Sequence, residues 1–159
     1  MGYMERFQVD GQWMAEDELA PFVSQVKEAA EKVEEKKDLT VTVFEMETAI
    51  AFLYFREKQC DYVVLEAGMG GLLDATNVIN TTVLSIFASI SMDHIGVLGN
   101  TLEEIAENKA GIIKPSCLAV VTSPQQMSVT DILQKKAGEC GCRLVMSHPE
   151  KTVISEETM

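Results

Sequence analysis

Residues 83–121 read VLSIFASISMDHIGVLGNTLEEIAENKAGIIKPSCLAVV, and this stretch decides the fold. Residues 83–90 and 118–121 are short apolar runs of the kind that form parallel strands buried on both faces. Between them, Thr101 and Glu104 have the spacing of a capping box, which predicts a helix that is closed by Pro115. The stretch therefore predicts a strand, a helix and a second strand.

The same alternation continues on both sides of this stretch. Residues 62–65 and 144–146 are further short apolar runs, and residues 129–140 have helical spacing that ends at Gly141. Strands that alternate with helices predict an α/β fold, with a mostly parallel sheet covered by helices and joined by right-handed crossovers.

The N-terminal part of the chain predicts a hairpin followed by two helices. Asp10 and Gly11 stand between two short arms, which favours a tight β-hairpin. A helical stripe of apolar residues starts at Leu19 and predicts a surface helix. Residues 42–45 form a second capping box, and the apolar segment 49–55 after it indicates a helix buried against a sheet.

Length and composition favour a single folded domain. The chain has 159 residues, of which 47% are apolar, and this is enough to bury a core. We expect residues 1–147 to form this domain and residues 148–159 to be a loosely ordered tail, as chain ends often are.

The charge of the chain argues against two classes of partner. With 25 acidic and 13 basic residues, the formal net charge is -12, which repels both nucleic acid and anionic membrane surfaces. No apolar run approaches the roughly 18 residues that a membrane-spanning helix needs, and the first residues lack the apolar core of a signal peptide. We therefore expect a cytoplasmic protein.

The cysteines and histidines of the chain limit the kinds of metal site that it can form. The four cysteines are not paired as C-x-x-C, so reduced and mostly buried thiols are the better interpretation. The chain has two histidines, which excludes a site built from many histidines. A metal ion would therefore depend on oxygen ligands.

Two polar clusters follow predicted strands. Glu66 follows the run 62–65, and Asp93 and His94 follow the run 83–90. Ligands of parallel sheets bind where the carboxyl ends of the strands meet, so a carboxylate and an imidazole there could share Mg²⁺. Each residue also has an ordinary alternative: a helix cap or a surface ion pair for Glu66, and a structural role for His94.

The glycines after Glu66 do not form a dinucleotide-binding fingerprint, because G-x-G-x-x-G needs glycine where the chain has Leu73. We expect them to let the backbone pass close to a ligand. The sequence contains no Gly-Lys pair, so the phosphate-binding loop G-x-x-x-x-G-K-[ST] is absent from it.

Four segments together resemble the folylpolyglutamate synthase family, relatives of the Mur ligases. They are EAGMGGLLDATN (66–77), SISMDH (89–94), LGNTLEEIA (98–106) and NKAGIIKP (108–115). The resemblance extends upstream through residues 5–7 and 42–45, and it implies the central ATPase domain of such an enzyme.

The resemblance implies an ATP-dependent ligase that adds glutamate to folate or pteroate through an acyl phosphate. It implies that Glu66 and His94 bind Mg²⁺ and that Lys109, by default a solvated lysine at a helix end, is carbamylated. It also implies a set of residues around the pterin-bearing substrate: Thr42, Val43, Phe44, Glu45, Leu73, Asp74 and Ala75.

Three departures from the family pattern suggest an incomplete enzyme. The family has arginine where this chain has Leu72, and the phosphate loop with its strand and its magnesium-binding hydroxyl residue is missing. The second domain of the family, which binds glutamate and completes the nucleotide site, is missing as well. We therefore expect a fragment that is inactive in isolation, because phosphoryl transfer relies on positioned charge around the phosphates.

Two other functions remain open at this stage. The chain could be a non-catalytic binding module that forms a homo-oligomer through a sheet edge left exposed by the missing strand. It could also be the central domain of a Mur-type ligase that acts on cell-wall peptides, although the Gly-Gly-x-Leu-Asp-Ala-Thr-Asn stretch argues against this by analogy.

Overall fold

The structure is a computed structural model, and it describes residues 2–147 of the chain. The chain divides into two compact units, Met1–Glu66 and Ala67–Met159. The predicted tail, residues 148–159, lies outside the described residues.

The regular elements of each unit are as follows. The first unit contains β1 (Gln8–Val9), β2 (Gln12–Trp13), α1 (Glu16–Lys37) and α2 (Val43–Glu57), preceded by a 3-10 turn at Tyr3–Arg6. The second contains β3 (Leu84–Phe87), α3 (Leu102–Ala110), β4 (Leu118–Val121), α4 (Met127–Glu139) and β5 (Arg143–Met146), preceded by a 3-10 helix at Ala75–Val78.

The predicted hairpin is confirmed. β1 and β2 pair antiparallel with Gln8 opposite Trp13. At the turn, the φ angles of Asp10 and Gly11 are 52° and 74°, and a two-residue hairpin of type I′ requires positive values at both positions.

The two helices of the first unit pack on each other and on the hairpin. α1 begins at Glu16, earlier than the apolar stripe predicted, because the Glu18 carboxylate accepts a hydrogen bond of 3.0 Å from the Ala15 N–H and caps the helix. The core of this unit consists of Phe7, Met14, Phe22, Val26, Ile50 and Tyr54.

The second unit is built on a parallel sheet, as predicted. The strand order is β3-β4-β5, and the register places Leu84 beside Leu118 and Leu118 beside Arg143. Apolar residues of α3 and α4 cover one face of the sheet, where they pack against Ala119 and Val121 of β4. The α/β class and the parallel sheet are therefore confirmed.

Burial on both faces of every strand was predicted, and this was wrong for β3. Ser85 and Phe87 are buried, whereas Leu84 and Ile86 are 43% and 55% exposed. Successive side chains of a strand point to opposite faces, so only one face of β3 is covered in the structure of residues 2–147.

The strand predicted at residues 62–65 does not form, and this prediction was also wrong. Tyr62 and Val64 are 81% and 95% exposed. A strand is stabilised by hydrogen bonds to a neighbouring strand, and the described residues provide none beside this segment. An apolar run of four residues does not hold a strand by itself.

The third helix is shorter than predicted. Its start is confirmed, since Thr101 Oγ1 accepts a hydrogen bond of 3.2 Å from the Glu104 N–H. The helix ends at Ala110 instead of continuing to Pro115, and Gly111 is its C-cap. Gly111 is buried against the backbone of Leu72, so close that a Cβ at this position would lie 2.5 Å from Leu72 Cα.

Candidate functional site

The glycine loop of the second unit is organised by Asp74. This side chain is 8% exposed and accepts hydrogen bonds from Met69 N (2.8 Å), Thr76 N (2.9 Å) and Thr76 Oγ1 (2.6 Å). Burial by itself raises the pKa of Asp74, but these hydrogen bonds outweigh it and hold the pKa below its usual value of 3.8. Asp74 is therefore a fixed anion that shapes the loop.

The loop also packs tightly against the end of α3. A Cβ on Gly71 would lie 2.7 Å from the Lys109 carbonyl oxygen, and one on Gly111 would lie 2.5 Å from Leu72 Cα. Leu72 N donates to the Asn108 carbonyl oxygen at 2.9 Å. The glycines after Glu66 were interpreted as room for a ligand, but Gly71 is required first for this contact between backbones.

Lys109 lies in the last turn of α3, directly beneath the loop. It is half-buried, and among residues 2–147 its amine makes no side-chain hydrogen bond or ion pair. The contact between Gly71 and the Lys109 carbonyl fixes the backbone of this residue. The structure thus brings Lys109 together with the loop that carries Leu73, Asp74 and Ala75.

His94 follows β3 in an exposed loop. Its φ angle is 49°, a left-handed conformation that histidine adopts more readily than most residues. Its Nε2 lies 3.5 Å from Asp93 Oδ2, and its carbonyl oxygen accepts hydrogen bonds from Val97 N and Leu98 N. The imidazole is exposed and available to a ligand.

Gln125 forms hydrogen bonds with the backbone that follows β3 and leads to His94. Its Nε2 donates to the Ala88 carbonyl oxygen at 2.8 Å, and its Oε1 accepts from Ile90 N at 2.9 Å. The predicted strand 83–90 therefore stops at Phe87, since a side chain replaces a strand partner beyond that point.

Glu66 closes the first unit and follows an unpaired segment instead of a strand. Its side chain is exposed and lines an open cleft of about 850 Å³ in this unit, together with charged residues of both signs. Glu66 belongs to the first unit and His94 to the second, and the magnesium ion that they were predicted to share stays a prediction.

The donor chemistry of these two residues fits a hard cation with few protein ligands. Residues 2–147 contain no cluster of three histidine, cysteine or acidic side chains that could hold a metal ion alone. Mg²⁺ needs no such cluster, because it keeps waters and takes phosphate oxygens as further ligands. An exposed carboxylate and an exposed imidazole meet that requirement.

Thr42 and Glu45 begin α2 in the first unit, and the predicted capping box is confirmed. Glu45 N donates to Thr42 Oγ1 at 3.2 Å, while Thr42 N and Thr42 Oγ1 each donate to Glu45 Oε2 at 2.7 Å. These hydrogen bonds, first that of the Thr42 hydroxyl, lower the pKa of Glu45. The residues between them, Val43 and Phe44, project exposed apolar side chains from the first turn.

Sequence reasoning missed the polar residues that tie the loop to α3. Asn77 Nδ2 donates to the carbonyl oxygens of Leu72 and Gly111, both at 3.1 Å, and Lys114 Nζ donates to the Asn77 carbonyl oxygen at 3.2 Å. The only sequence signal for them was their presence in the segments 66–77 and 108–115, since no local pattern pairs residues so distant in the chain.

A family model described as "Mur ligase middle domain" matches residues 13–154. Within residues 2–147, no helix is both long and apolar enough to cross a membrane. The predicted cytoplasmic location stays a prediction.

Curated relatives extend this match over almost the whole chain. The "Dihydrofolate synthase/folylpolyglutamate synthase" of Bacillus subtilis is 35% identical over 158 residues, which are 99% of this chain and 36% of that relative. The "Folylpolyglutamate synthase" of Lacticaseibacillus casei is 37% identical over 142 residues, 89% of this chain and 33% of that protein. The chain thus spans about a third of the length of these relatives.

Solved structures give the same picture. A structure described as "FPGS-AMPPCP-folate complex" has a TM-score of 0.84 and 34% identity, covering 92% of this chain and 35% of that one. The folylpolyglutamate synthase of Mycobacterium tuberculosis, complexed with ADP and AMPPCP, also has a TM-score of 0.84, with 28% identity over 96% of this chain and 35% of that one.

Proposed function

We propose a function from one premise, namely that this chain belongs to the Mur ligase middle domain family. It is the central part of an ATP-dependent ligase that joins glutamate to folate or pteroate through an acyl phosphate. The observation that carries this proposal is the identity of 35% over 158 residues with a bifunctional dihydrofolate and folylpolyglutamate synthase.

Glu66 and His94 would hold Mg²⁺ in this reaction. When bound, the ion supplies positive charge that stabilises the phosphates of ATP as phosphoryl transfer proceeds. Both side chains are exposed in the described structure, and the contact of His94 Nε2 with Asp93 Oδ2 lies at the surface, so solvent and an ion can reach both residues.

Lys109 would act as a carbamate. An ammonium group beside Mg²⁺ is repelled, whereas the carbamate formed by CO₂ on the neutral amine is an anion that supports the ion. The half-buried position and the absence of an ion pair within residues 2–147 leave the amine of Lys109 free for this modification.

Some of the proposed substrate-binding residues can contact the substrate, and others fix the backbone that carries them. Val43, Phe44 and Leu73 have exposed apolar side chains, and Leu73 is 90% exposed, so these three can contact an aromatic ring such as a pterin. Asp74 already accepts hydrogen bonds from Met69 and Thr76, and therefore positions Leu73 and Ala75. Thr42 and Glu45 fix the helix start in the same way.

The isolated chain is not expected to perform catalysis. Its sequence contains no Gly-Lys pair and hence no phosphate-binding loop of the usual form. Leu72 also stands where the family has arginine, which removes one cation from a reaction that depends on charge around the phosphates. Glutamate, ATP and the folate substrate would meet in the complete enzyme.

A chimera tests this proposal directly. Residues 1–159 replace the aligned segment of the Bacillus subtilis relative, and glutamate incorporation into dihydropteroate is measured with ATP and Mg²⁺. We expect activity in the chimera, none in the isolated chain, and no heat of MgATP binding to the isolated chain in titration calorimetry. Tight MgATP binding by the isolated chain would contradict the proposed incomplete nucleotide site.

Point variants of the chimera then test the individual roles. Glu66→Gln and His94→Ala should each lower kcat at least about 100-fold if they hold the ion. Glu139→Gln, at the exposed end of α4, is the matched control and should leave kcat unchanged. Full activity of Glu66→Gln would remove this residue from the metal site, and a folded chimera that ligates no folate would reject the proposed substrate class.

The edge strand β3 supports a second candidate, a non-catalytic module that associates with another copy of itself. No strand of the described residues pairs with the outer side of β3, and residues 80–92 contain neither charge nor proline, the usual protections of an edge. Two copies related by a two-fold axis would pair their β3 strands antiparallel.

Light scattering distinguishes this candidate. Self-association should give a dimer that Ile86→Lys converts to a monomer, because a charge on the exposed face would oppose a second copy. A monomer at all protein concentrations would contradict this second candidate. The family model is compatible with a Mur-type peptide ligase as well, but the curated relatives reported above are folylpolyglutamate and dihydrofolate synthases, which favours the folate ligase.

A further inference from the structure

Three of the four cysteines lie near one end of the sheet in the second unit. All four are free thiols, and the Sγ atoms of Cys117 and Cys142 are 3.5 Å apart. Cys140 Sγ is a neighbour at the same end, 3.6 Å from the Ile113 carbonyl oxygen. Cys117 and Cys142 directly precede β4 and β5, whereas His94 follows the carboxyl end of β3, at the opposite end of the parallel strands.

The register of the sheet explains the proximity of the two sulfurs. Leu118 of β4 is paired with Arg143 of β5, so Cys117 and Cys142 occupy the cross-strand position directly before that pair. Adjacent strands lie about 4.8 Å apart, which falls within the range of about 4.4–6.8 Å that disulfides require between Cα atoms. The backbone geometry is therefore already compatible with a bond.

The two thiols contact each other and also take part in hydrogen bonds with neighbouring groups. Cys142 Sγ donates to the Lys114 carbonyl oxygen at 2.8 Å, and Cys117 Sγ lies 3.8 Å from Ser85 Oγ. Burial, and next the hydrogen bond with Cys117, raise the pKa of the Cys142 thiol. A raised pKa keeps this thiol mostly protonated, so its exchange with an external disulfide is slow.

The two cysteines differ in access from solvent. Cys117 is 4% exposed, whereas Cys142 is half-buried. An external reagent therefore reaches Cys142 first, and Cys117 is the neighbour placed to react with the product. This asymmetry is the arrangement of an attacking and a resolving cysteine.

We propose that Cys117 and Cys142 form a reversible disulfide by exchange with a low-molecular-weight disulfide such as oxidised glutathione. The Cys142 thiolate attacks one sulfur of the reagent and releases one glutathione. The Cys117 thiolate then attacks Cys142 Sγ in the mixed disulfide and releases the second glutathione. Two cysteine thiols are oxidised, one external disulfide is reduced, and the two protons end on the glutathione thiols.

The bond would join β4 to β5 across α4 and close a loop between residues that are 25 positions apart. Such a closure restricts the unfolded chain and stabilises the second unit. It also removes the hydrogen that Cys142 donates to the Lys114 carbonyl. This modification site is independent of the ligase chemistry proposed above.

The test is equilibration of the purified chain with reduced and oxidised glutathione. With excess oxidised glutathione, we expect two of the four thiols to be lost and the peptides containing Cys117 and Cys142 to be joined within one chain. The thermal midpoint Tm should rise by about 5 °C, and dithiothreitol should reverse both changes.

Variants identify the partners. Cys60→Ser, in the first unit, is the matched control and should keep the Tm shift, whereas Cys142→Ser and Cys142→Ala should abolish it. Cys140→Ser should also keep it. Persistence of all four thiols in the unmodified chain would overturn the proposal, and so would a bond mapped from Cys142 to Cys140 or between two chains; these results do not depend on whether a variant folds.

Discussion

The strand β4 and the segment 62–65 have similar sequences and different structures. Leu118-Ala119-Val120-Val121 forms the central strand of the sheet, with β3 on one side and β5 on the other, and Val121 is fully buried. Tyr62-Val63-Val64-Leu65 forms no strand, and Val64 is 95% exposed. The difference teaches that an apolar run becomes a strand only where neighbouring strands satisfy its backbone.

The strongest test of this comparison places a charge in each segment. Val121→Asp buries an unpaired carboxylate beneath α3 and α4, and we expect a loss of more than about 4 kcal/mol in the free energy of unfolding. Val64→Asp changes an exposed side chain and should cost less than about 0.5 kcal/mol. Urea denaturation followed by circular dichroism measures both.

The result for Val64 can break the comparison. A large loss of stability in Val64→Asp would mean that this side chain is covered in solution, either by a second copy or by another part of the chain. An equal and small effect of both substitutions would mean that the sheet of the second unit is not the stable core described above.

A second test compares two glycines of the second unit that differ in their surroundings. Gly111→Ala would place a Cβ 2.5 Å from Leu72 Cα, a backbone atom that cannot move away cheaply, so we expect a loss of about 3 kcal/mol. Gly138→Ala, in α4, meets no atom within 4 Å and should stabilise the protein by about 0.5–1 kcal/mol. Thermal unfolding of the two variants gives the signs.

Opposite signs for these glycines would confirm that the loop and α3 form one packed structure. If Gly111→Ala were neutral, the loop would be able to leave α3, and the position that we assign to Lys109 beside it would have no structural support. Gly138→Ala controls for the general preference of helices for alanine over glycine.

Local patterns predicted the elements whose stabilising contacts are also local. The Asp10-Gly11 turn and the capping box of Thr42 and Glu45 have partners within a few residues, and both form as expected. The failed strand 62–65 depends on a neighbour that no pattern within the segment can reveal. The end of β3 depends on Gln125, which is 35 residues beyond Ile90 in the chain.

In the candidate site, too, the contacts between residues distant in the chain could not be predicted. Glu66, His94 and Lys109 were singled out from strand ends and from resemblance, and the contact of the glycine loop with α3 supports the position of Lys109. The hydrogen bonds of Asn77 to Leu72 and Gly111 could not be predicted, because they join residues through the folded backbone. Likewise, the proximity of Cys117 and Cys142 follows from strand register, which the sequence does not display.

The smallest expected effect comes from substitutions of two aspartates, one in the glycine loop of the second unit and one beside the segment 62–65. Asp74→Asn places an amide donor where the carboxylate accepts from Met69 N and Thr76, and one of these donors loses its acceptor. We expect a loss of about 2 kcal/mol at pH 7. Asp61→Asn, beside the unpaired segment, changes an exposed side chain and should be neutral within about 0.5 kcal/mol.

The pH dependence of the stability deficit distinguishes the effect of the Asp74 charge from that of its shape. Its pKa in the folded protein lies below the usual 3.8, so its contribution is present above that value and is lost as the pH falls through the folded-state pKa. The deficit of Asp74→Asn should therefore be constant from neutral pH to about pH 5 and shrink below pH 3.8, since the protonated wild-type side chain also loses acceptor capacity. A deficit that stays the same in acid would show that shape, and not the charge of Asp74, organises the loop.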